Sequence, residues 1–358
     1  RIVCMENYQA AMNFEAIVMA LGKNDSYCSS LMDEIASRCS IDEAMPFNMA
    51  VYSEVLDVPS AWLEEAYLKC RRAFERLDSN VSIIDRSSPL WCPDIKGVRY
   101  LYLKGDADLL LTPSISVVGT RSPSQRGVEL AKEVVDSLGG SGFTITSGLA
   151  MGIDGIAHIQ ALAKEIHTIG VVGTSVCDVY PKQHERLQAL VAQHGLLVSQ
   201  FAPSRVVQRY YFMQRNLLMS QISRASLVVE DRDGGGGVQQ AQYSIDQGKK
   251  VFVLRETMDN RTFLWPRKLK DPVVVSSPKA LGNAVRRTLQ MERAFAKAID
   301  TPDEALRRTQ SSGSTRKRTS CKVSDSAEKT ASNRASGRAS SRASSRVEPD
   351  SSVQPELF

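Results

Sequence analysis

The 358-residue sequence predicts an α/β fold: a doubly wound, mainly parallel sheet of the Rossmann-like kind, with a small N-terminal helical domain and a disordered C-terminal tail. Three observations predict it. Short apolar runs recur through residues 113–300, helical patterns of about ten residues lie between nearly all of them, and the rhythm stops near Pro302. Parallel neighbours need crossover connections, so this alternation specifies a parallel sheet. The runs are apolar at nearly every position, as strands covered on both faces are.

Residues 1–80 read as a helical module, with apolar residues at three- and four-residue spacing over Tyr8–Leu21, Ser30–Ser40 and Ala61–Leu77. Val58-Pro59-Ser60 puts Pro and a capping Ser where the third helix begins. No glycine hairpin of the kind that grips DNA backbone occurs there, which favours a packing or protein-contact role. Residues 81–112 form a bridge of two β-type runs, Val81–Ile84 and Tyr100–Leu103, separated by a Pro/Trp/Cys loop. The α/β domain, taken as 81–300 with its bridge, expects strands at Ile115–Gly119, Phe143–Ser147, Thr168–Gly173, Leu196–Ser199, Ser226–Glu230 and Lys250–Leu254. Helices are expected at Gly127–Leu138, Asp154–Ala163, His184–Gln193, Met213–Ile222 and Gln239–Gln247, with Val273–Val275 and a helix from Lys279 to Lys297 completing the domain.

Residues 301–358 form the tail. Between Ser311 and Arg346 twelve of 36 residues are serine, and Arg334, Arg338, Arg342 and Arg346 recur every fourth position. So few apolar residues cannot offset the entropy of ordering, so disorder is expected. This stretch holds nine Lys/Arg against two Asp/Glu, whereas residues 1–310 hold 36 bases and 35 acids. The net charge of +5 is therefore a property of the tail, and any case for nucleic acid in the folded part rests on particular arginines.

No run of eighteen apolar residues occurs, which excludes a transmembrane helix, and no leader pattern opens the chain, which begins at Arg1. The seven cysteines are scattered and never form a C-x-x-C pair, and there are four histidines. Free thiols in a reducing cytoplasm are expected, with no metal site.

In open parallel sheets ligands sit beyond the carboxyl ends of the strands, where helix N-termini offer free amides to anions. The residues placed there are Gly119-Thr120-Arg121-Ser122-Pro123, then Ser147-Gly148-Leu149-Ala150-Met151-Gly152-Ile153-Asp154 with His158 a turn on, then Gly173-Thr174-Ser175 leading to Val179-Tyr180-Pro181-Lys182. Gln214-Arg215-Asn216 precedes the fifth strand, and Asp231-Arg232-Asp233 and Gly234–Gly237 follow it. Small residues, hydroxyls and a guanidinium together are what a phosphate cradle requires. Neither G-x-G-x-x-G after the first strand nor G-x-x-x-x-G-K-[ST] occurs, so no dinucleotide or nucleotide cofactor is expected. Asp154 is read as a helix cap that fixes the glycine loop, and His158 as a packed core residue.

The run from Leu101-Tyr102-Leu103-Lys104-Gly105-Asp106 through Ser116–Arg121, Ser147–Asp154, Val179-Tyr180-Pro181 and Gln214-Arg215-Asn216 resembles the DNA-processing protein A (DprA/Smf) family over roughly residues 82–290. The resemblance implies a Rossmann-like module that binds single-stranded DNA and hands it to a RecA-type recombinase, notably during uptake of transforming DNA. It implies no reaction. Gly119, Thr120 and Arg121 would grip phosphate, Ser147, Gly148 and Gly152 would form the loop floor, Lys182 and Arg186 would track the strand, and Arg215 would add a cation. Gly235, Gly236 and Gly237 stand where the family has a glycine-serine-hydrophobic-threonine turn, so hydroxyls are lost and backbone amides remain. Arg255-Glu256 replaces the family's Pro-Gly, and the tail replaces the winged-helix domain of many members. Expected partners are single-stranded DNA, the recombinase, a second copy of the chain as a homodimer and, through Gln354, Leu357 and Phe358, a replicative sliding clamp, whose Q-x-x-L-F peptides the last five residues resemble.

Two other functions compete. The related nucleoside-monophosphate phosphoribohydrolases carry a Pro-Gly-Gly-x-Gly-Thr-x-x-Glu loop, but alignment puts Val238 at the threonine and Ala241 at the glutamate, removing the acid/base group. A nucleotide-sensing module would use the same pocket for a small phosphate ligand.

Overall fold

The computed structural model describes residues 7–300. Helix α1 (Tyr8–Leu21) ends at Gly22, whose left-handed φ of 59° lets its N–H reach the Val18 carbonyl. Helix α2 (Asp25–Ala36) starts where the Asn24 side chain accepts a hydrogen bond from Tyr27 N at 2.9 Å. A short turn leads into α3 (Met49–Leu56), which the sequence pattern did not isolate. Helix α4 (Ser60–Phe74) corrects the expected cap: Pro59 takes the cap position with no side-chain hydrogen bond, and Ser60 is the first helical residue. The helix buries Leu63, Ala66, Tyr67, Cys70 and Phe74, one stripe at helical spacing.

The remaining elements, in chain order, are β1 (Val81–Ile84), β2 (Leu101–Gly105), β3 (Ser114–Val118), α5 (Gln125–Gly139), β4 (Thr144–Ser147), α6 (Ile153–Ala163), β5 (Thr168–Val171), α7 (Glu185–His194), β6 (Leu196–Ser199), α8 (Tyr211–Ile222), β7 (Ala225–Val228), α9 (Gly236–Asp246), β8 (Lys250–Leu254), α10 (Arg255–Asp259), α11 (Trp265–Lys268), β9 (Val273–Val275) and α12 (Pro278–Asp300). They form one nine-stranded sheet ordered β1-β2-β6-β5-β4-β3-β7-β8-β9. Strands β6 to β9 in that order are all parallel, and the antiparallel pair β1–β2 extends the sheet beyond β6. The predicted doubly wound α/β sheet is present, with the strands at or near their predicted places. Helices α10 and α11, in the stretch that departs from the family pattern, were not predicted.

Side-chain alternation shows how the sheet is covered. Leu101, Leu103, Ile169, Val171, Leu196, Val198, Val228, Val251 and Val253 share one core. On the opposite face, Ile115, Val117, Ala225, Leu227, Phe252 and Leu254 pack with α5, α6 and α12. The other half of that opposite face, Tyr102, Val172 and Leu197, packs with Phe14, Ile17, Leu63 and Phe74 of the N-terminal helices. The helices of residues 8–74 are therefore a covering layer of the sheet and share its core. The strand order reverses between β3 and β7, which pair in register from Ile115↔Ala225 to Val118↔Val228. A crevice opens at such a reversal because successive connections leave on opposite faces. The tail expected to be disordered, the arginines within it and the peptide at Gln354, Leu357 and Phe358 lie outside the described residues.

Candidate nucleic-acid interface

The carboxyl ends of β3 and β7 open into a cleft of about 560 Å³, lined by Gly119, Thr120, Arg121, Asn216, Arg232 and Gly235–Gly237 among others. A second cleft of about 550 Å³ lies beyond β4 and β5, lined by Gly148, Met151, Tyr180, Lys182 and Gln183 among others. Both include Arg121, Ala150, Phe212 and Arg215, so they form one groove along the rim.

Two glycines build it. Gly152 has φ 79°, and a Cβ there would collide with the Thr120 carbonyl. The bare backbone lets Ile153 N donate to Thr120 O at 3.1 Å, which seats the Gly119–Arg121 turn on the start of α6. At Gly148 a Cβ would occupy the position of the Arg215 guanidinium. Arg215 is only 5% exposed. Its Nη1 donates to the carbonyls of Gly148 and of Val171, the latter at 2.7 Å, and its Nε donates to Asn216 Oδ1 at 3.0 Å. Nη2 has no acceptor among the described residues and belongs to the groove wall. Arg215 thus ties the ends of β4 and β5 together and leaves Nη2, unpaired among the described residues, at the groove. Burial lowers its pKa from the ordinary guanidinium value, Asp154 opposes that shift, and the charge of Arg121 reinforces it.

Arg121 is exposed and has no carboxylate within ion-pair distance among the described residues. Arg232 and Lys182 are exposed as well, on opposite stretches of the groove. Between them stands an aromatic pair, Tyr180 and Phe212, with ring centroids 4.9 Å apart and Tyr180 46% exposed. Phe212 fits because Gly173 beneath it has no side chain: a Cβ there would stand 2.8 Å from Phe212 Cδ1.

The helix N-termini differ from expectation. At α9, Asp231 Oδ2 accepts from Gly237 N at 2.8 Å and Val238 N at 3.1 Å, so an internal carboxylate holds the amides expected to meet phosphate. At α5, Ser124 caps Gly127 N, and Glu230 accepts from Ser124 N and Oγ. Of the three glycines, only Gly236 presents an N–H with no acceptor among the described residues, since Gly235 N donates to Arg232 O. The groove therefore offers cations more than free amides.

Asp154 is corrected in position. Helix α6 begins at Ile153 with Gly152 at the cap, so Asp154 lies in the first turn. Burial pushes its carboxyl up to about 6, against the pull of Arg215 and of the amides of Ala150 and Gly148. Its carboxyl thus faces back onto the glycine loop. His158 is buried, with Nδ1 2.8 Å from Thr168 Oγ1, and burial drops its pKa to about 3. Ser147 is buried and donates to Val117 O at 2.7 Å, which turns it from the loop floor into a strap between strands. Arg186 is exposed on α7 and lines neither cleft. Arg232 was placed at the rim by the sequence but given no role there, and Phe212 escaped the sequence reading. The run Tyr210-Tyr211-Phe212 just before Gln214-Arg215 was the signal available for the aromatic.

A Rossmann-like sheet with a guanidinium-lined groove at its reversal point is the architecture of α/β proteins that take ligands at the switch point of an open sheet. A family model described as DNA recombination-mediator protein A matches residues 82–269. The chain belongs to that family. It is 30% identical over 198 residues to the DNA processing protein DprA of Bacillus subtilis, an alignment spanning 54% of this chain and 67% of that protein. It is 31% identical over 193 residues to DprA of Streptococcus pneumoniae, spanning 54% and 67%, and 34% identical over 184 residues to protein Smf of Escherichia coli, spanning 51% and 49%. The X-ray structure of S. pneumoniae DprA shares the fold, with TM-score 0.60 and 23% identity over 79% of this chain and 96% of that one. So does a Helicobacter pylori DprA structure, described as giving insight into that protein's single-stranded DNA binding mode, with TM-score 0.51 and 24% identity over 58% and 96%. No helix among the described residues is long and apolar enough to cross a membrane.

Proposed function

We propose that this chain binds single-stranded DNA along the groove and mediates its transfer to a RecA-type recombinase during DNA processing and transformation, acting by binding and without catalysis. One observation carries the reading: Arg121, Arg232, Lys182 and Arg215 line a single groove with an aromatic pair, exposed Tyr180 and half-buried Phe212. Cations hold a backbone, and aromatic faces stack unpaired bases whatever their sequence. The single-strand binding mode described for the H. pylori relative supports the same ligand. The position of a phosphoribohydrolase glutamate, Ala241, is fully buried against the sheet, and His158 is engaged in the core, which favours binding over chemistry. The recombinase, a homodimeric state, a cytoplasmic setting and a sliding-clamp contact through Gln354, Leu357 and Phe358 belong to this reading on sequence resemblance and composition.

The test is equilibrium binding of fluorescent oligo(dT) to the full chain across a salt series. Arg121→Ala should weaken binding on the order of tenfold, the range of a charge-assisted hydrogen bond. The slope of log affinity against log salt should become shallower by about 0.7, the share of one phosphate no longer neutralised. Unaltered affinity and slope would place the strand elsewhere.

A further inference from the structure

Eleven residues, 200–210, link β6 to α8 and so set where Phe212 and Arg215 stand. Residues 206–210 are exposed, and Val206 is 76% exposed. Helix α8 has no side-chain cap: Tyr210 at the cap position makes no such hydrogen bond. An uncapped first turn depends on packing instead. Here Tyr211 stacks on buried Phe201, centroids 4.2 Å apart and planes 16° from parallel.

The middle of the link is fastened to the N-terminal helices by Arg205. Its Nε and Nη2 donate to the two oxygens of Glu15 on α1, at 2.7 and 2.6 Å, and its Nη1 donates to Asp25 on α2 at 2.8 Å. The Arg205 side chain is 9% exposed and that of Glu15 is 3%. A buried ion pair is weak evidence for stability, because an apolar replacement of similar volume is often neutral or stabilising; its better-attested use is to fix register. The two-point fork of a guanidinium supplies that register, which a single ammonium cannot.

We infer that Arg205 and Glu15 are positioning residues for the groove: their clamp lets the N-terminal helices hold the first turn of α8, and with it Phe212, against the strand. This rests on the single-strand reading above. Of the groove cations, Arg121, Lys182 and Arg232 lie on other segments, and Arg215, though on α8, is held separately by the carbonyls of Gly148 and Val171, so the clamp governs the base-stacking share of affinity and leaves the ionic share alone.

The experiment compares the full-length chain with Arg205→Lys, which keeps the charge but loses the fork, and with Glu15→Leu/Asp25→Asn/Arg205→Met, which removes all three charges and fills the site with apolar volume. Each is titrated with oligo(dT) and with an abasic oligonucleotide of equal length. The unsubstituted chain should prefer the base-bearing strand roughly tenfold. In the variants the preference should fall towards unity while the salt slope stays unchanged. Hydrogen exchange gives an independent readout: amides of Phe212, Met213 and Gln214 should exchange on the order of tenfold faster, with α1 still protected. A merely structural role would lower both affinities together, and that result, or a preserved preference with unchanged α8 exchange in a folded variant, overturns the inference. Failure of the unsubstituted chain to bind either strand instead sinks the DNA-binding reading, and this inference with it.

Discussion

Asp154 and His158 occupy the same helix, and burial moves their proton equilibria in opposite directions. Asp154 rises to about 6 and His158 falls to about 3, each because the charged form loses water. The signs follow from linkage. Between about 3.8 and 6 the folded Asp154 holds a proton that the unfolded chain has released, so its contribution to stability grows as pH falls through that window. Between about 6.5 and 3 the unfolded His158 takes up a proton that the folded form refuses, so its contribution shrinks as pH falls. In thermal melts taken from pH 7 to 4.5, acidification should shift the difference between wild type and Asp154→Asn in favour of wild type. Against His158→Gln it should shift in favour of the variant. Differences that stay constant with pH would mean these sites are wetter than their burial implies.

At the scale of elements, the helix termini decide what the groove can hold. Asp231 occupies the N-terminus of α9 as an internal anion, where it satisfies two amides and complements the helix dipole. Asp231→Ala should cost about 1 kcal/mol of stability, seen as a lower urea midpoint. The same change removes a negative charge from the groove wall and releases the Gly237 and Val238 amides, so affinity for oligo(dT) should rise several-fold. A fall in affinity would show that the α9 end of the groove does not face the strand. Glu256, which departs from the family pattern, has a separate part: both its oxygens accept from Arg126, at 2.8 and 2.9 Å, tying α10 to α5 away from the clefts.

Across the whole molecule the charge divides into a near-neutral stretch over residues 1–310 and a basic segment over 311–346. On the proposed reading, a near-neutral body leaves attraction for a polyanion to the groove cations, and the basic segment adds a sequence-independent electrostatic share. Replacing Arg334, Arg338, Arg342 and Arg346 with Gln in the full chain should make the salt slope shallower by about 0.7 for each phosphate these arginines neutralise. The preference for base-bearing over abasic strands should stay intact. Disappearance of that preference would show that these arginines act through the groove.

The sequence by itself determined the class of fold, because hydrophobic period and turn residues are local properties: Tyr8–Leu21 and Lys250–Leu254 fall where the pattern put them. It also placed Arg121, Arg215, Lys182 and the glycine loops at one rim, since a parallel sheet brings every strand's carboxyl end to the same side. What each group does there was decided by tertiary pairings between residues far apart in the chain. Arg215 is shared with the carbonyls of Gly148 and Val171, Gly237 N is taken by Asp231, and Arg205 reaches Glu15 across 190 positions. A local pattern records which side chains face a core; it carries no record of which distant acceptor a buried donor meets, and those pairings set the charge and shape the groove presents.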